Sequence, residues 1–267
     1  MSDYEPRARA SFLGLKFDRL DQAEALAEIG RLAGATGFHY VVTPNVDHLV
    51  RLHAPDAGPA LWQSYLTASL CLCDSQILRL LARWSGIDLD LVTGSDLTAS
   101  LLERGLAVSP DIAVIGGDSG LVDALAMRFP AYQWHHHIPP MGVREDRLAQ
   151  QAIVEFVERC PAAIFLFAIG SPQSELLCAE ISRRGQAGGV ALCIGASLEF
   201  LTGAKSRAPR WMQRAGLEWL FRLASEPRRL WRRYLYEGPA IFRIWWRWRL
   251  SEARSASGSG SSPPDAM

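Results

Sequence analysis

Residues 163–194 read AIFLFAIGSPQSELLCAEISRRGQAGGVALCI. An apolar run from Ala163 to Ile169 stops at Gly170-Ser171-Pro172, and a stretch of helical period follows from 173 to 185. Glycines 185, 188 and 189 end that stretch, and a second apolar run spans Val190 to Ile194. Neither run alternates with polar residues, which is the pattern of strands covered on both faces in a parallel sheet. The same unit recurs outward from this stretch. Further strands are predicted at Phe38 to Thr43, Ser69 to Cys73, Ile112 to Gly116 and Tyr132 to His136, with helices at about 20–33, 46–54, 76–84, 95–106, 119–129 and 144–159. The fold class is therefore α/β, a Rossmann-like, mainly parallel sheet covered by helices.

The chain has 267 residues, 49% of them hydrophobic and 21% charged, and carries no formal net charge. Zero is a sum of unlike parts. Residues 1–204 hold 15 basic and 23 acidic side chains, whereas 205–250 hold 12 basic and 3 acidic ones. An acidic α/β body (1–204) thus carries a basic, Trp- and Arg-rich helical appendage (205–250), broken at Pro227 and Gly238-Pro239, and a Ser/Gly/Pro tail (251–267) expected to be disordered. No run approaches the roughly 20 apolar residues of a membrane span. The N-terminal residues lack the apolar segment of a secretory signal, which points to the cytosol. Five cysteines, an odd and sparse set, are expected as reduced thiols.

In open parallel sheets ligands bind at the carboxyl ends of the strands. Those positions hold Thr43, Asn45 and Asp47; Asp74; Gly116, Gly117 and Asp118; Gly170, Pro172, Gln173 and Glu175; and Gly195 and Glu199. The glycine turn at 116–120 suits either a phosphate at a helix N-terminus or a plain strand-to-helix turn. Asp74 suits a helix N-cap as well as a general base. His135-His136-His137 has no metal-ligand spacing, and Cys71 with Cys73 lacks the second pair a zinc site needs, so no metal or other cofactor is expected. In the appendage, Ile241, Ile244, Trp245 and Trp248 recur with helical period and Arg243 and Arg247 lie on another face, a pattern fit for a membrane interface or for packing on the body. An acidic body without a recognition module argues against nucleic acid.

Together these motifs resemble the WecG/TagA/CpsF glycosyltransferases, glycosyltransferase family 26, over about residues 12–236. The most specific part is Arg207-Ala208-Pro209-x-Trp211, Gly216-Leu217-Glu218-Trp219-Leu220-x-Arg222-Leu223, Glu226-Pro227-x-Arg229 and Arg233-Tyr234-Leu235. Thr43-Pro44-Asn45, Asp74, Gly94-Ser95-Asp96-Leu97, Gly116-Gly117, Gly170-x-Pro172 with Glu175, and Phe200-x-x-Gly203 agree with it. The resemblance implies a metal-independent, inverting transfer of a sugar from a UDP-sugar to a polyprenyl-diphosphate-linked sugar at the cytoplasmic face of the membrane, in exopolysaccharide, capsule or other cell-surface polysaccharide synthesis. It implies Asp74 as the base and Thr43 and Asn45 in the same pocket. Arg207, Arg214, Arg222, Arg229 and Arg233 of the appendage would meet diphosphate or membrane, and Glu199 would hold the uracil or ribose. The donated sugar stays open between N-acetylmannosamine, glucose and a related hexose, because Asp74-Ser75, Pro172-Gln173-Ser174-Glu175 and Leu91 depart from the family pattern. Monomer and homo-oligomer are both compatible with the resemblance. A catalytically silent nucleotide-sugar-binding scaffold is the alternative reading.

Overall fold

The structure, a computed structural model, describes residues 8–105, 109–206, 208–209, 211–212 and 215–258, with backbone only for 229, 233 and 255–258. Its centre is a six-stranded sheet in the order β4-β3-β8-β7-β5-β6. The strands are β3 (Phe38–Val42), β4 (Leu70–Cys71), β5 (Asp111–Ile115), β6 (Gln133–His137), β7 (Ile164–Phe167) and β8 (Gly189–Cys193). Every pairing is parallel, with Phe38 opposite Gly189 and Ile164 opposite Val190. A bridge from Cys73 to Leu91 lengthens the β4 edge. All six predicted strands are present, each within a few residues of its expected ends.

Side chains alternate between two apolar layers, as the period of two requires. Phe165 and Phe167 enter one layer and Ile164 and Leu166 the other. The first layer is covered by α2 (Val46–Leu52), α3 (Pro59–Leu66), α4 (Gln76–Arg83), α7 (Arg147–Arg159) and α8 (Gln173–Arg184). The second is covered by α1 (Gln22–Ala33), α5 (Gly94–Arg104), α6 (Ser119–Arg128) and α9 (Ser197–Leu201). Cys71 and Cys73 both lie buried in the first layer, where burial raises their thiols well above the ordinary range, Cys73 to about 12. They are core residues. Because α2 leaves β3 toward one layer and α9 leaves the neighbouring β8 toward the other, a crevice opens between the ends of these two strands.

An antiparallel hairpin, β1 (Arg9–Phe12) and β2 (Leu15–Asp18), precedes the sheet and was not expected from the sequence. Its two-residue turn puts Leu13 and Gly14 at φ 50° and 81°, a turn whose usual signal is Asn-Gly rather than Leu-Gly. The Trp62 ring closes over Gly14: an added Cβ there would stand 3.0 Å from the indole.

The appendage folds as α10 (Glu218–Ser225), α11 (Pro227–Trp231), a π-helical turn (Arg232–Glu237) and α12 (Ala240–Gly258). Of the two alternatives left open for the face bearing Ile241, Ile244, Trp245 and Trp248, the structure shows packing on the body. Trp248 meets Phe12 edge-to-face at 5.2 Å, and Trp245 Nε1 donates to Ser85 Oγ at 2.8 Å. Covering this wide aromatic surface with protein outweighs leaving it in water. Phe242, Trp246 and Leu250 remain exposed beside Arg243 and Arg247. Residues 251–258, expected as loose tail, continue α12, since no helix breaker occurs before Gly258. The rest of the tail lies outside the described residues. No described helix is long and apolar enough to cross a membrane.

Candidate active site

Asp74 follows β4, and its backbone N–H donates to Pro44 O at 3.1 Å, tying the β4 end to the β3 end. Capping of α4 falls to the next residue: Ser75 Oγ accepts from Leu78 N at 3.3 Å. The N-cap alternative for Asp74 is thereby replaced by Ser75. Val92 N donates to Cys73 O at 3.0 Å, which brings the start of α5 alongside. There Gly94 leaves a gap. A Cβ built on it would lie 3.1 Å from Thr43 Oγ1, 3.6 Å from Ser197 Oγ and 3.8 Å from Asp74 Oδ2. Three oxygens, from the ends of β3, β8 and β4, therefore converge on this buried position, where a side chain larger than glycine would crowd Thr43. Ser95 Oγ adds a fourth, donating to Ser197 Oγ at 3.4 Å.

Asn45, two residues past Thr43, is the N-cap of α2. Its Oδ1 accepts from Asp47 N at 3.0 Å, while Asn45 N donates to His48 Nδ1 at 3.2 Å, a reciprocal cap. Asp47 is ion-paired with Arg51 at 2.9 Å. Gly195 has φ 52° and open space where a side chain would be, so the backbone at the β8 end is bare toward the crevice. Glu199, in the first turn of α9, pairs with Lys205.

The β7 end is built from beneath. Gly170 has φ 82°, the Ser171–Pro172 bond is cis, and Pro172 begins α8 with Gln173 half-buried behind it. Glu175 is 3% exposed, with Ser171 and Tyr65 hydroxyls bonded to its carboxyl. Burial pushes that carboxyl up to about 7, against those hydrogen bonds and the nearby Arg51 charge. At the β5 end, Asp118 Oδ1 caps α6 through Leu121 N at 2.9 Å. Gly116 and Gly117 are demanded by packing, since added Cβ atoms would meet Ala168 at 2.9 Å and Leu121 at 2.3 Å. His136 Nε2 lies 2.9 Å from Gly116 O and braces the same turn. The plain strand-to-helix turn accounts for this motif by itself.

These geometries bring Thr43, Asn45, Asp74, Gly195 and Glu199 to one rim, with Gly170, Pro172, Gln173, Asp47 and Glu175 on its β7 side. Gly116, Gly117 and Asp118 lie one strand farther along. Sequence reading left out Ser197, Gly94's gap, Arg51 and Tyr65. Ser197 sits only four residues past a strand end, yet its role depends on a partner a hundred positions away. Of the appendage arginines, Arg207 and Arg214 lie outside the described residues, as do the side chains of Arg229 and Arg233. Arg222 stacks its guanidinium 5.0 Å over the Phe200 ring of α9 and pairs with Glu218 at 2.9 Å. Gly216 approaches Gln76, two residues past Asp74, so this part of the appendage touches the start of α4. A concavity of about 670 Å³ lies elsewhere: Pro110 and Tyr132 in its lining place it at the amino ends of β5 and β6.

A profile of the glycosyl transferase WecG/TagA/CpsF family matches residues 10–255, most of the chain. The chain belongs to that family. Its members are glycosyltransferases of cell-surface polysaccharide synthesis, which join a nucleotide-sugar donor to a lipid-linked acceptor. Residues 10–255 take in both the sheet and the appendage down to α12, so the family unit is larger than the acidic body. The sequence also holds an Asp-x-Asp triplet, Asp88-Leu89-Asp90, which the expectation of metal-independence leaves out of account. Leu89 is buried, and both aspartates are exposed, Asp88 facing Arg19 at 3.9 Å. Among the described residues no three His, Cys, Asp or Glu side chains cluster as metal ligands.

Proposed function

We propose that the chain is an inverting, metal-independent transferase that moves a sugar from a UDP-sugar to a polyprenyl-diphosphate-linked sugar, with Asp74 as general base. The convergence of Asp74 Oδ2, Thr43 Oγ1 and Ser197 Oγ around Gly94 carries this reading. It gives an acceptor sugar several oxygen partners and one carboxylate to take its hydroxyl proton. The deprotonated hydroxyl attacks the anomeric carbon from the face opposite the UDP, and the bond to the diphosphate breaks. Negative charge grows on the departing diphosphate. Backbone N–H groups at the Gly195 end of β8 and the start of α5 would meet it, together with arginines of the appendage. Glu199 and the Gly170–Gln173 turn border the donor side. The donated sugar is N-acetylmannosamine, glucose or a related hexose.

The outward face of α12 supports attachment to the inner membrane surface. Phe242, Trp246 and Leu250 would enter the interface, with Arg243, Arg247 and Arg249 at anionic headgroups. This is the side opposite to the one the sequence periodicity suggested.

The test is a panel of UDP-sugars with a short-chain polyprenyl-diphosphate sugar acceptor, with and without EDTA, read by mass spectrometry. A product heavier by one sugar in both conditions, lost in Asp74→Asn with UDP affinity retained, is the expected result. Full activity in Asp74→Asn would remove Asp74 as base. Loss with EDTA would bring the Asp88-Leu89-Asp90 triplet into the reaction.

A further inference from the structure

One set of polar side chains crosses the rim without reaching the Gly94 gap. Arg51, on α2, uses Nη2 to donate to Asp47 Oδ2 at 2.9 Å. Its Nη1 donates to Ser171 O at 2.9 Å and to Ser171 Oγ at 3.2 Å. Asp47 belongs to the segment leaving β3, and Ser171 to the turn leaving β7, with β8 lying between those strands. The guanidinium therefore ties α2, which follows β3, to the turn after β7, and these two strands flank β8. Two further elements reach the same serine: Tyr65 of α3 lies 3.4 Å from Ser171 Oγ, and Glu175 of α8 is hydrogen-bonded to Ser171 and Tyr65. Glu175 Oε2 is buried with no hydrogen-bond partner among the described residues, an arrangement that stability alone does not favour. The π-helical turn and α12 both pack on α2, so the appendage and the Ser171 turn hold the same helix from two sides.

We propose that Arg51 is a positioning residue that clips the Ser171–Pro172 turn to α2 and so sets the width of the donor side of the crevice. The inference rests on the proposed function only in placing the donor there. An Arg is required because three acceptors in two segments must be met by one planar fork; an ammonium group reaches them only one or two at a time. As an ion pair spaced four residues apart on one helix, with Arg51 about one-third exposed, the Arg51–Asp47 contact adds little to stability, so its value lies in geometry.

The experiment compares Arg51→Ala and Arg51→Lys with the wild type in the full chain. Expected for Arg51→Ala is a rise in donor KM of about tenfold, acceptor KM unchanged, kcat within about threefold and an unchanged melting temperature. Arg51→Lys should behave like the alanine variant, and added guanidinium ion should restore much of the lost kcat/KM in Arg51→Ala. Hydrogen exchange over residues 168–178 supplies a readout free of substrate, and should quicken in both variants. Equal loss toward donor and acceptor, full rescue by lysine, or unchanged exchange would each overturn the clip. A wild-type enzyme that transfers no sugar would refute the proposed function, and the exchange result would then decide the clip alone.

Discussion

Replacing Glu175 by Gln should remove a loss of stability that the wild type suffers as pH rises. The wild-type carboxyl is fully buried and held at about 7 against an ordinary 4.5. At about 1.4 kcal/mol per pH unit, that displacement is worth about 3 kcal/mol of differential stability. The sign follows from which state holds the proton. The folded protein keeps it up to about pH 7, whereas the unfolded chain releases it near 4.5, so the contribution is complete below 4.5 and disappears as pH climbs through 7. Between pH 5 and pH 8 the wild type should lose about 2–3 kcal/mol relative to the Gln variant, whose amide fills the same space without ionising. Urea unfolding of both proteins at pH 5, 6, 7 and 8 measures the difference directly. Two stability curves that run parallel within about 0.5 kcal/mol would refute the argument, and would mean that Arg51 and the Ser171 and Tyr65 hydroxyls already compensate the buried charge.

Gly94→Ala should fold with a near-normal melting temperature yet lose most transfer activity, because its Cβ would stand 3.1 Å from Thr43 Oγ1; a fully active variant would remove the gap from the site. Trp248→Ala, which uncovers Phe12, should cost about 2–4 kcal/mol in denaturant unfolding. A cost below about 0.5 kcal/mol would mean that α12 does not dock on the body in solution. Asp118→Ala should cost about 1 kcal/mol through its lost N-cap while leaving UDP affinity unchanged, and a large loss of affinity would instead assign Asp118 to the donor. Sedimentation with anionic vesicles should fall in Phe242→Ser/Trp246→Ser and hold in Trp245→Ser, since only the first pair faces outward.

What could be read from the sequence divides by range. Strands such as Ile164–Phe167 are legible because burial on both faces leaves no polar residue in the run. Their helices are legible through Gly and Pro punctuation. Strand ends also mark the candidate site, so Thr43, Asn45 and Asp74 emerge as candidates from position and family likeness together. The hairpin at 9–18 escaped because four-residue strands carry little periodicity and its turn lacks the usual residues. For α12, period and amphipathicity were legible, but the partner was not: an aromatic face made for protein and one made for lipid have the same spacing. Arg51 was invisible for a related reason, since its acceptor on Ser171 lies 120 positions away. The charge split between body and appendage is real, yet it does not mark a boundary in packing, because Ile241, Trp245 and Trp248 share the core of the body.

The strand order β4-β3-β8-β7-β5-β6 has a consequence for how the chain comes into being. The last strand synthesised is inserted between two sets made earlier, β3 with β4 and β5 with β6 and β7. Until β8 emerges from the ribosome, the edges of β3 and β7 stay unpaired, and such long-range closure is slow and exposed to aggregation. Ser197 arrives just behind that closing strand and the appendage later still. A chain that stops before β8 therefore lacks the strand that joins the β3–β4 pair to the β5–β6–β7 set, and with it the assembled rim.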